Sequence, residues 1–320
     1  MVSIAAATAF ERVGTALCSV GESPLWSAVE QALYWVDIEG RRIHRWRAAR
    51  GAEPAHEQSW LLEQRPACIA LHAHSGLVCG LENSVAHLQL HADGSHALQE
   101  LASVAHSEPG MRLNDGRCDR DGHFWAGSMV MNMALAAPAG RLYRIGNHAD
   151  HGDRSARAAP AAPVTGAEPL IVPNGLAFSP DGRTLYLSDS HPSVQKIWAF
   201  DHASDGSLSR RRLFVDMQQH PGRPDGAAVD VDGCYWSCAN DAGLVHRFTP
   251  AGRLDRSLAV PVAKPSMCSF GGARLDELFV TSIRPASTAA TGAGDAALAG
   301  ATFVCRPGVQ GLAETPVHSG

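Results

Sequence analysis

Three features that mark whole classes of protein are absent from this sequence of 320 residues: a long apolar run, a basic stripe and a C-x-x-C pair. A membrane span needs roughly 18 consecutive apolar residues, so we expect no membrane association. Residues 1–12 lack the basic start and apolar stretch of a secretory signal peptide. The 27 basic residues are outnumbered by 32 acidic ones, and nucleic acid is therefore not an expected partner.

Cysteine is present, but its spacing does not indicate disulfides or a metal cluster. The eight cysteines are scattered, and the closest two, Cys234 and Cys238, would point to one face of a strand. In a chain long enough to bury a core, such cysteines are typical of reduced, buried thiols. Disulfides are rare in the cytoplasm, so we predict a cytoplasmic protein. A hydrophobic content of 45% excludes intrinsic disorder, while length alone allows one or two domains.

Three stretches of the chain repeat one pattern: a polar residue opens a short strand, and an Asp-Gly pair follows seven residues later. They begin at Asn114, Asn174 and Asp225. An Asp-Gly pair between apolar runs predicts a hairpin, because glycine adopts positive φ at little cost. Two further strand-like runs follow each pair, so each unit contains several short strands.

Looser copies of the pattern begin at Glu22, Ala67 and Ser266, so six units follow one another at spacings of 41 to 60 residues. Units of this length are typical of propeller blades. We predict an all-β, six-bladed β-propeller with about four antiparallel strands per blade, forming a single domain over residues 14–310. The longest spacing contains an Ala- and Pro-rich polar stretch at about 146–169, which predicts a loop insertion. Residues 287–300 predict a second loop.

The first strand of a propeller blade lines the central channel, so equivalent blade positions form a ring around the axis. The predicted ring consists of Glu22, Ala67, Asn114, Asn174, Asp225 and Ser266. Asn and Asp before Gly often only form turns, but here the Asp-Gly pair seven residues later already makes the turn. Two carboxylates and two amides at one end of the channel are the oxygen ligands that a hard divalent cation prefers.

Polar residues close to the ring are further candidates. Arg112 precedes a ring position by two residues; surface arginines are mostly solvated, but its planar fork of donors could bind an anionic or polyhydroxyl substrate. Asp189 and His191 end the second strand of the fourth unit. We expect Asp189 to be a structural hydrogen-bond acceptor, and for His191 a site role and a structural role both stay open. The tryptophans of the second strands are expected to fill the core between blades: Trp35, Trp125 and Trp236.

The same residues resemble the SMP-30/gluconolactonase/regucalcin-like family, whose members are six-bladed propellers that hydrolyse sugar lactones. No single motif decides the resemblance, but the matching segments occur together and in order from about Gly14 to about Gly308. They are G-E-S-P-L-W at 21–26, R-L-N-D-G at 112–116, F-W-A-G-S-M at 124–129, P-N-G-L-A-F-S-P-D-G at 173–182, R-P-D-G at 223–226 and S-F-G-G at 269–272.

The resemblance implies roles for individual residues. Glu22, Asn174 and Asp225 match the family's metal ligands, whereas Arg112 and Asn114 match residues that hold substrate hydroxyls. A carboxylate that often follows the G-[ST]-M segment falls near Asn132 here. An amide does not accept a proton as a carboxylate does, so this departure bears on substrate preference.

The predicted function is metal-dependent hydrolysis of an aldonolactone to its sugar acid. The metal would polarise the lactone carbonyl and activate water, and Asp225 is the candidate general base. We expect one divalent cation, calcium, with zinc, magnesium, manganese and ferrous iron as alternatives. The expected partner is a small sugar lactone of unspecified identity, bound in part by His191, and no obligate protein partner is evident.

Two other functions stay open at this point. A paraoxonase-like esterase or phosphotriesterase would use a histidine near the metal, for which His191 is the candidate. A non-enzymatic, calcium-binding propeller is the second alternative.

Overall fold

The computed structural model describes residues 9–51, 53–146, 160–285 and 296–318, and within these ranges 24 strands form six four-stranded sheets. Neighbouring strands in every sheet are antiparallel. The predicted all-β, six-bladed propeller with four strands per blade is therefore confirmed. No helix among the described residues is long and apolar enough to cross a membrane.

Each blade takes its strands in chain order from the channel outwards, except the sixth, which borrows its outer strand from the start of the chain. Blade 1 contains β2 (Gly21–Ser27), β3 (Ala32–Asp37), β4 (Arg42–Arg47) and β5 (His56–Leu61). Blade 2 contains β6 (Cys68–Leu71), β7 (Leu77–Gly80), β8 (Ser84–Leu90) and β9 (His96–Ser103). Blade 3 contains β10 (Met111–Cys118), β11 (Phe124–Val130), β12 (Leu142–Ile145) and β13 (Pro163–Val164). Blade 4 contains β14 (Pro173–Phe178), β15 (Thr184–Asp189), β16 (Lys196–His202) and β17 (Leu208–Asp216). Blade 5 contains β18 (Arg223–Val229), β19 (Tyr235–Asn240), β20 (Leu244–Phe248) and β21 (Leu254–Ala259). Blade 6 contains β22 (Pro265–Gly271), β23 (Glu277–Ser282), β24 (Thr302–Cys305) and β1 (Glu11–Val13).

The ring of blades is closed by β1, which lies before residue 14, the predicted start of the domain. Its three residues pair antiparallel with β24, with Arg12 opposite Phe303. The pairing covers the outer edge of the last blade, so the first and last segments of the chain share one sheet. Short strands with few apolar residues leave little sequence pattern, and the N-terminal segment was therefore not predicted to be a strand.

The predicted Asp-Gly hairpins are present. Gly122, Gly182 and Gly233 adopt φ of 87°, 72° and 75°. Each donates its amide to the carbonyl of the residue three positions earlier. This left-handed backbone is the conformation that favours glycine, which explains why the repeat is easy to see in the sequence.

Two of the predicted loops fall partly outside the described residues. Of the stretch at 146–169, residues 147–159 are not described, and residues 163–164 form β13, the outer strand of blade 3. Of the second loop, residues 287–295 lie outside the described part, and Ala296–Leu298 form one 3-10 turn.

The core lies between blades, and tryptophan is central to it. Trp35, Trp125 and Trp236 are fully buried among side chains of two adjacent blades, which confirms the expectation from the sequence. In blades 3 and 5 the indole N–H donates 2.8 Å to a buried carboxylate, Asp119 for Trp125 and Asp230 for Trp236. All eight cysteines are buried free thiols.

Removing residues 1–13 should lower the unfolding temperature and cause concentration-dependent association, because β24 then becomes an unpaired edge. Thermal unfolding and light scattering at several concentrations would measure both effects. A truncation that removes only residues 1–8 retains every paired residue of β1 and should behave as the full chain does. Equal behaviour of the two truncations would show that β1 contributes nothing to closure.

Candidate active site

The candidate site lies at the end of the channel where the innermost strands β2, β10, β14 and β18 begin. Each of these strands has a register shift that begins at or next to its ring residue: Glu22, Asn114, Asn174 or Asp225. A β-bulge bends a strand and turns side chains away from the usual alternation. The innermost strands also contact one another around the axis. The bulges therefore direct the predicted ring residues towards a common space.

Both carboxylate oxygens of Asp225 accept hydrogen bonds from buried amides. Asn174 Nδ2 donates to its Oδ1 at 2.6 Å, and Asn240 Nδ2 donates to its Oδ2 at 2.7 Å. Asn174 also donates to Ser190 Oγ at 3.2 Å. The structure thus brings two predicted ligands, Asn174 and Asp225, into direct contact across neighbouring blades.

Glu22 lies close enough to Asp225 for the two charges to repel each other. Burial raises the pKa of Glu22 well above its ordinary value, and repulsion from Asp225 and Asp115 adds to the shift. Burial likewise raises the pKa of Asp225 to about 7, although the Arg223 charge opposes the change. Two of the three predicted ligands are therefore carboxyl groups that hold a proton more tightly than usual.

Asp115 is a third buried carboxyl group, which the sequence did not predict. Burial raises its pKa to about 6, and its Oδ2 accepts a hydrogen bond of 2.8 Å from the Leu176 amide. Its Oδ1 is buried and has no hydrogen-bond partner among the described residues. The only sequence signal for Asp115 was its position directly after Asn114. The structure places both residues in the bulge of β10.

The donor set fits a divalent cation. Buried like charges are costly unless an opposite charge compensates them, and carboxylate and amide oxygens suit hard cations. No group of three or more His, Cys, Asp or Glu residues with metal-binding geometry occurs in the described part of the chain. The candidate set differs from such a group because Asn174 supplies an amide in place of a third carboxylate.

Arg112 and Asn114 form a second unit beside the carboxyl groups. Arg112 donates to Asn114 Oδ1 at 2.8 Å and to the Leu113 carbonyl at 2.7 Å, and Asn114 Nδ2 donates to the Pro173 carbonyl at 3.0 Å. Burial lowers the pKa of the Arg112 guanidinium, while the charges of Glu39 and Glu22 oppose the shift. Because the Asn114 oxygen already accepts from Arg112, this geometry suits substrate binding better than metal ligation.

His191 and Asn132 lie beside the site in two contacting loops. His191 Nδ1 is 2.7 Å from Ser193 Oγ, and its Nε2 is 3.2 Å from the Met133 carbonyl. Asn132 Oδ1 accepts from the Ala134 amide at 3.2 Å and caps the 3-10 turn Met133–Leu135. Both side chains are thus engaged within the protein, and their predicted substrate contacts stay predictions.

Asp189 has the structural role that the sequence suggested. Its two oxygens accept from the amides of Ile171, Val172 and His191 at 2.7 to 3.1 Å. These bonds hold the loop before β14 against the loop after β15. Asp189 therefore fixes the entrance to blade 4, where Asn174 lies.

Comparison with known proteins identifies the family of this chain. Residues 20–284 match the family model described as SMP-30/Gluconolactonase/LRE-like region. The chain belongs to this family.

Several proteins with names of their own are similar over nearly the whole chain. A 6-deoxy-6-sulfogluconolactonase of Pseudomonas putida is 34% identical over 303 residues, which cover 94% of this chain and 95% of that protein. An L-arabinolactonase of Azospirillum brasilense is 33% identical over 301 residues, or 92% of this chain and 91% of that protein. Among solved structures, a luciferin-regenerating enzyme superposes with a TM-score of 0.80 at 25% identity, covering 97% of this chain and 99% of that one.

The raised pKa of Asp225 predicts how the stability of the ion-free protein depends on pH. Because the folded state binds this proton more tightly than the unfolded state, the stabilisation is complete below about pH 4 and is lost as pH rises through about 7. Relative to Asp225→Asn, the wild type should lose up to about 1.4 kcal/mol of unfolding free energy per pH unit in this window.

Urea unfolding of both proteins in chelator, from pH 4 to pH 8, would measure the difference. Asp181→Asn is the matched control, since Asp181 is exposed and its pKa is lowered by the Ser179 hydroxyl. The difference in unfolding free energy between the wild type and Asp181→Asn should not change in this way as pH rises. A pH-independent difference for Asp225→Asn would contradict the buried, protonated state.

Proposed function

We propose that this protein hydrolyses a sugar lactone to the corresponding sugar acid with the help of one divalent cation held by Glu22, Asn174 and Asp225. That it is a hydrolase of cyclic esters is supported by relatives that are lactonases at 33–34% identity. The metal dependence rests on one structural observation. Buried carboxyl groups with raised pKa values meet a ring amide at the mouth of the channel.

The cation supplies two kinds of chemistry when bound: it polarises the lactone carbonyl and lowers the pKa of water. Calcium is the cation that we propose, because every donor is a neutral or anionic oxygen. Zinc, magnesium, manganese and ferrous iron accept oxygen ligands as well and form the test set.

The chain itself orients the substrate and takes up a proton. Arg112 is fixed by Asn114 and the Leu113 carbonyl, so its remaining donors can hold hydroxyl groups of the sugar with little loss of side-chain entropy. Asp225 is the general base, because its carboxylate is held from both sides by amide donors. A positioned base of this kind contributes about 10²–10⁴ in rate.

The geometry does not favour a paraoxonase-like mechanism that uses His191 as a base. With Nε2 facing the Met133 carbonyl and Nδ1 facing the Ser193 hydroxyl, neither ring nitrogen has a lone pair free for a water molecule. We therefore assign His191 to the wall of the substrate pocket. Its neighbour across the contact is the loop that contains Asn132, and the two together are proposed to influence which sugar is accepted.

The sugar itself is proposed only as a class. The relatives named above act, by their names, on a sulfonated gluconolactone and on an arabinolactone. A panel should therefore contain neutral pentonolactones, neutral hexonolactones and a lactone with an anionic substituent. A cytoplasmic location is part of the same proposal.

Replacement of either carboxyl ligand should remove activity and ion binding together. In Glu22→Gln and Asp225→Asn, lactone hydrolysis measured by pH-stat should fall by at least about 10²-fold, and calorimetric binding of calcium should be lost. The fold should persist, because each change removes a buried carboxyl that disfavours the folded state near neutral pH. Glu108→Gln changes an exposed carboxylate and should keep both properties. Full activity in either ligand variant would contradict the proposed site.

Chelation should abolish hydrolysis reversibly if the cation takes part in the reaction. Ion-free protein would be supplied with calcium, zinc, magnesium, manganese or iron(II), one at a time, and assayed with the lactone panel. Activity should return with at least one ion at a concentration close to its measured dissociation constant. If protein that is shown to be ion-free hydrolyses lactones at the undiminished rate, the protein is a lactonase but its activity does not depend on a metal.

A further inference from the structure

Asn240 is a buried polar residue beside the candidate base, and neither the sequence repeat nor the family resemblance points to it. It ends β19, is 2% exposed, and donates from Nδ2 to Asp225 Oδ2 at 2.7 Å. The other end of the same amide is different: Asn240 Oδ1 is buried and has no hydrogen-bond partner among the described residues.

The unpartnered oxygen favours a role for Asn240 other than packing. A buried acceptor without a partner costs free energy, whereas an apolar side chain of similar size would carry no such cost. The contact that Asn240 does make is directed entirely at Asp225. The Asn240 amide therefore stabilises the candidate site, while its unpartnered oxygen lowers the stability of the core.

Blade 4 has a polar residue at the same place. Pro173 pairs with Asp189, and Pro224 pairs with Ala239, so Ser190 and Asn240 are the next residues at equivalent positions. Ser190 contacts Asn174, as Asn240 contacts Asp225. Two adjacent blades thus hold their ring residue from the end of the second strand.

The two oxygens of Asp225 have different partners. Oδ1 accepts from Asn174, whose own amide oxygen is a proposed ligand of the ion. Oδ2 accepts from Asn240, which is not a proposed ligand. An amide binds a cation through its oxygen, so Asn174 has to orient its side chain for the ion. Asn240 is the donor that can keep the Asp225 carboxylate from rotating when that happens.

We propose that Asn240 is a positioning residue, which ties Oδ2 of Asp225 and so presents Oδ1 to the cation and to the attacking water. This inference rests on the proposed function, since it assumes that Asp225 is a ligand and base. Partners that orient a metal ligand in this way typically change metal affinity 10- to 100-fold when they are removed.

The test compares Asn240→Leu with Asn240→Ala in ion-free protein titrated with calcium by calorimetry. Leu has the heavy-atom number and branching of Asn, with bulkier methyl groups, and cannot donate, so we expect the dissociation constant to rise 10- to 100-fold. Ala leaves room for a water molecule, which can donate to Oδ2 in place of the amide, so its loss should be smaller. A packing role predicts the reverse order, because Ala leaves the larger cavity.

Thermal unfolding of each ion-free variant separates positioning from packing. For Asn240→Leu the ion-free unfolding temperature should stay close to that of the wild type while calcium affinity falls. Ser269→Ala is the matched control, since Ser269 is also buried with an unpartnered hydroxyl but lies further along the innermost strand of blade 6. Its calcium affinity should be unchanged.

Three results would overturn the positioning role: unchanged calcium affinity in Asn240→Leu, a greater loss in Asn240→Ala, or a loss of affinity that only parallels a loss of ion-free stability. These results differ from failure of the proposed function. If the wild type binds calcium and hydrolyses lactones while Asn240→Leu does so equally well, only the role of Asn240 falls. If the wild type neither binds a divalent cation nor hydrolyses a lactone, both proposals fall.

Discussion

Mutual repulsion among buried carboxyl groups at one end of the channel is the constraint on which the rest of the structure depends. Glu22, Asp115 and Asp225 all have raised pKa values, with burial as the largest cause. Such groups would be driven apart or out into water if the surrounding backbone were free to move. They stay together because each is fixed to a different innermost strand of a closed ring. A rigid frame is therefore a requirement of the site, and closure of the ring by β1 belongs to the same requirement.

The frame is built from features that lie away from the site. Asp119 and Asp230 each accept an indole N–H from the tryptophan that packs towards the next blade. Arg247 adds an ion pair of 2.8 Å to Asp230, so the hairpin turn, the second strand and the third strand of blade 5 are joined at one carboxylate. The contacts of Asp119 and Asp230 therefore tie the hairpin turns to the strands of their blades, away from the ring residues.

The sequence predicted the blades and most residues of the candidate site because the two are repeated together. Each Asp-Gly turn gives a fixed reference from which the ring residue is counted, and Asn114, Asn174 and Asp225 follow from that count, whereas Glu22 was placed from a looser copy of the pattern. Asp115 could not be counted in this way, since a bulge in β10 turns two consecutive residues inwards, and bulges leave no alternation for a pattern to reveal. Asn240 was not predicted for another reason: its proposed role depends on a contact with Asp225, which lies 15 residues earlier on the neighbouring strand. The strand β1 has three residues, too few for any periodicity.

A site assembled in this way links stability to ligand binding. In the ion-free protein, protons on the buried carboxyl groups relieve the repulsion. A cation bound as proposed would have to displace these protons, so its affinity would rise with pH. Binding to the folded state alone would then stabilise the fold by mass action. The amides of Asn174 and Asn240 both hold the Asp225 carboxylate in the ion-free protein, and in the proposed ion-bound state Asn240 would continue to do so. Preorganisation of that carboxylate, rather than its basicity alone, is therefore the property that the surrounding residues are arranged to provide.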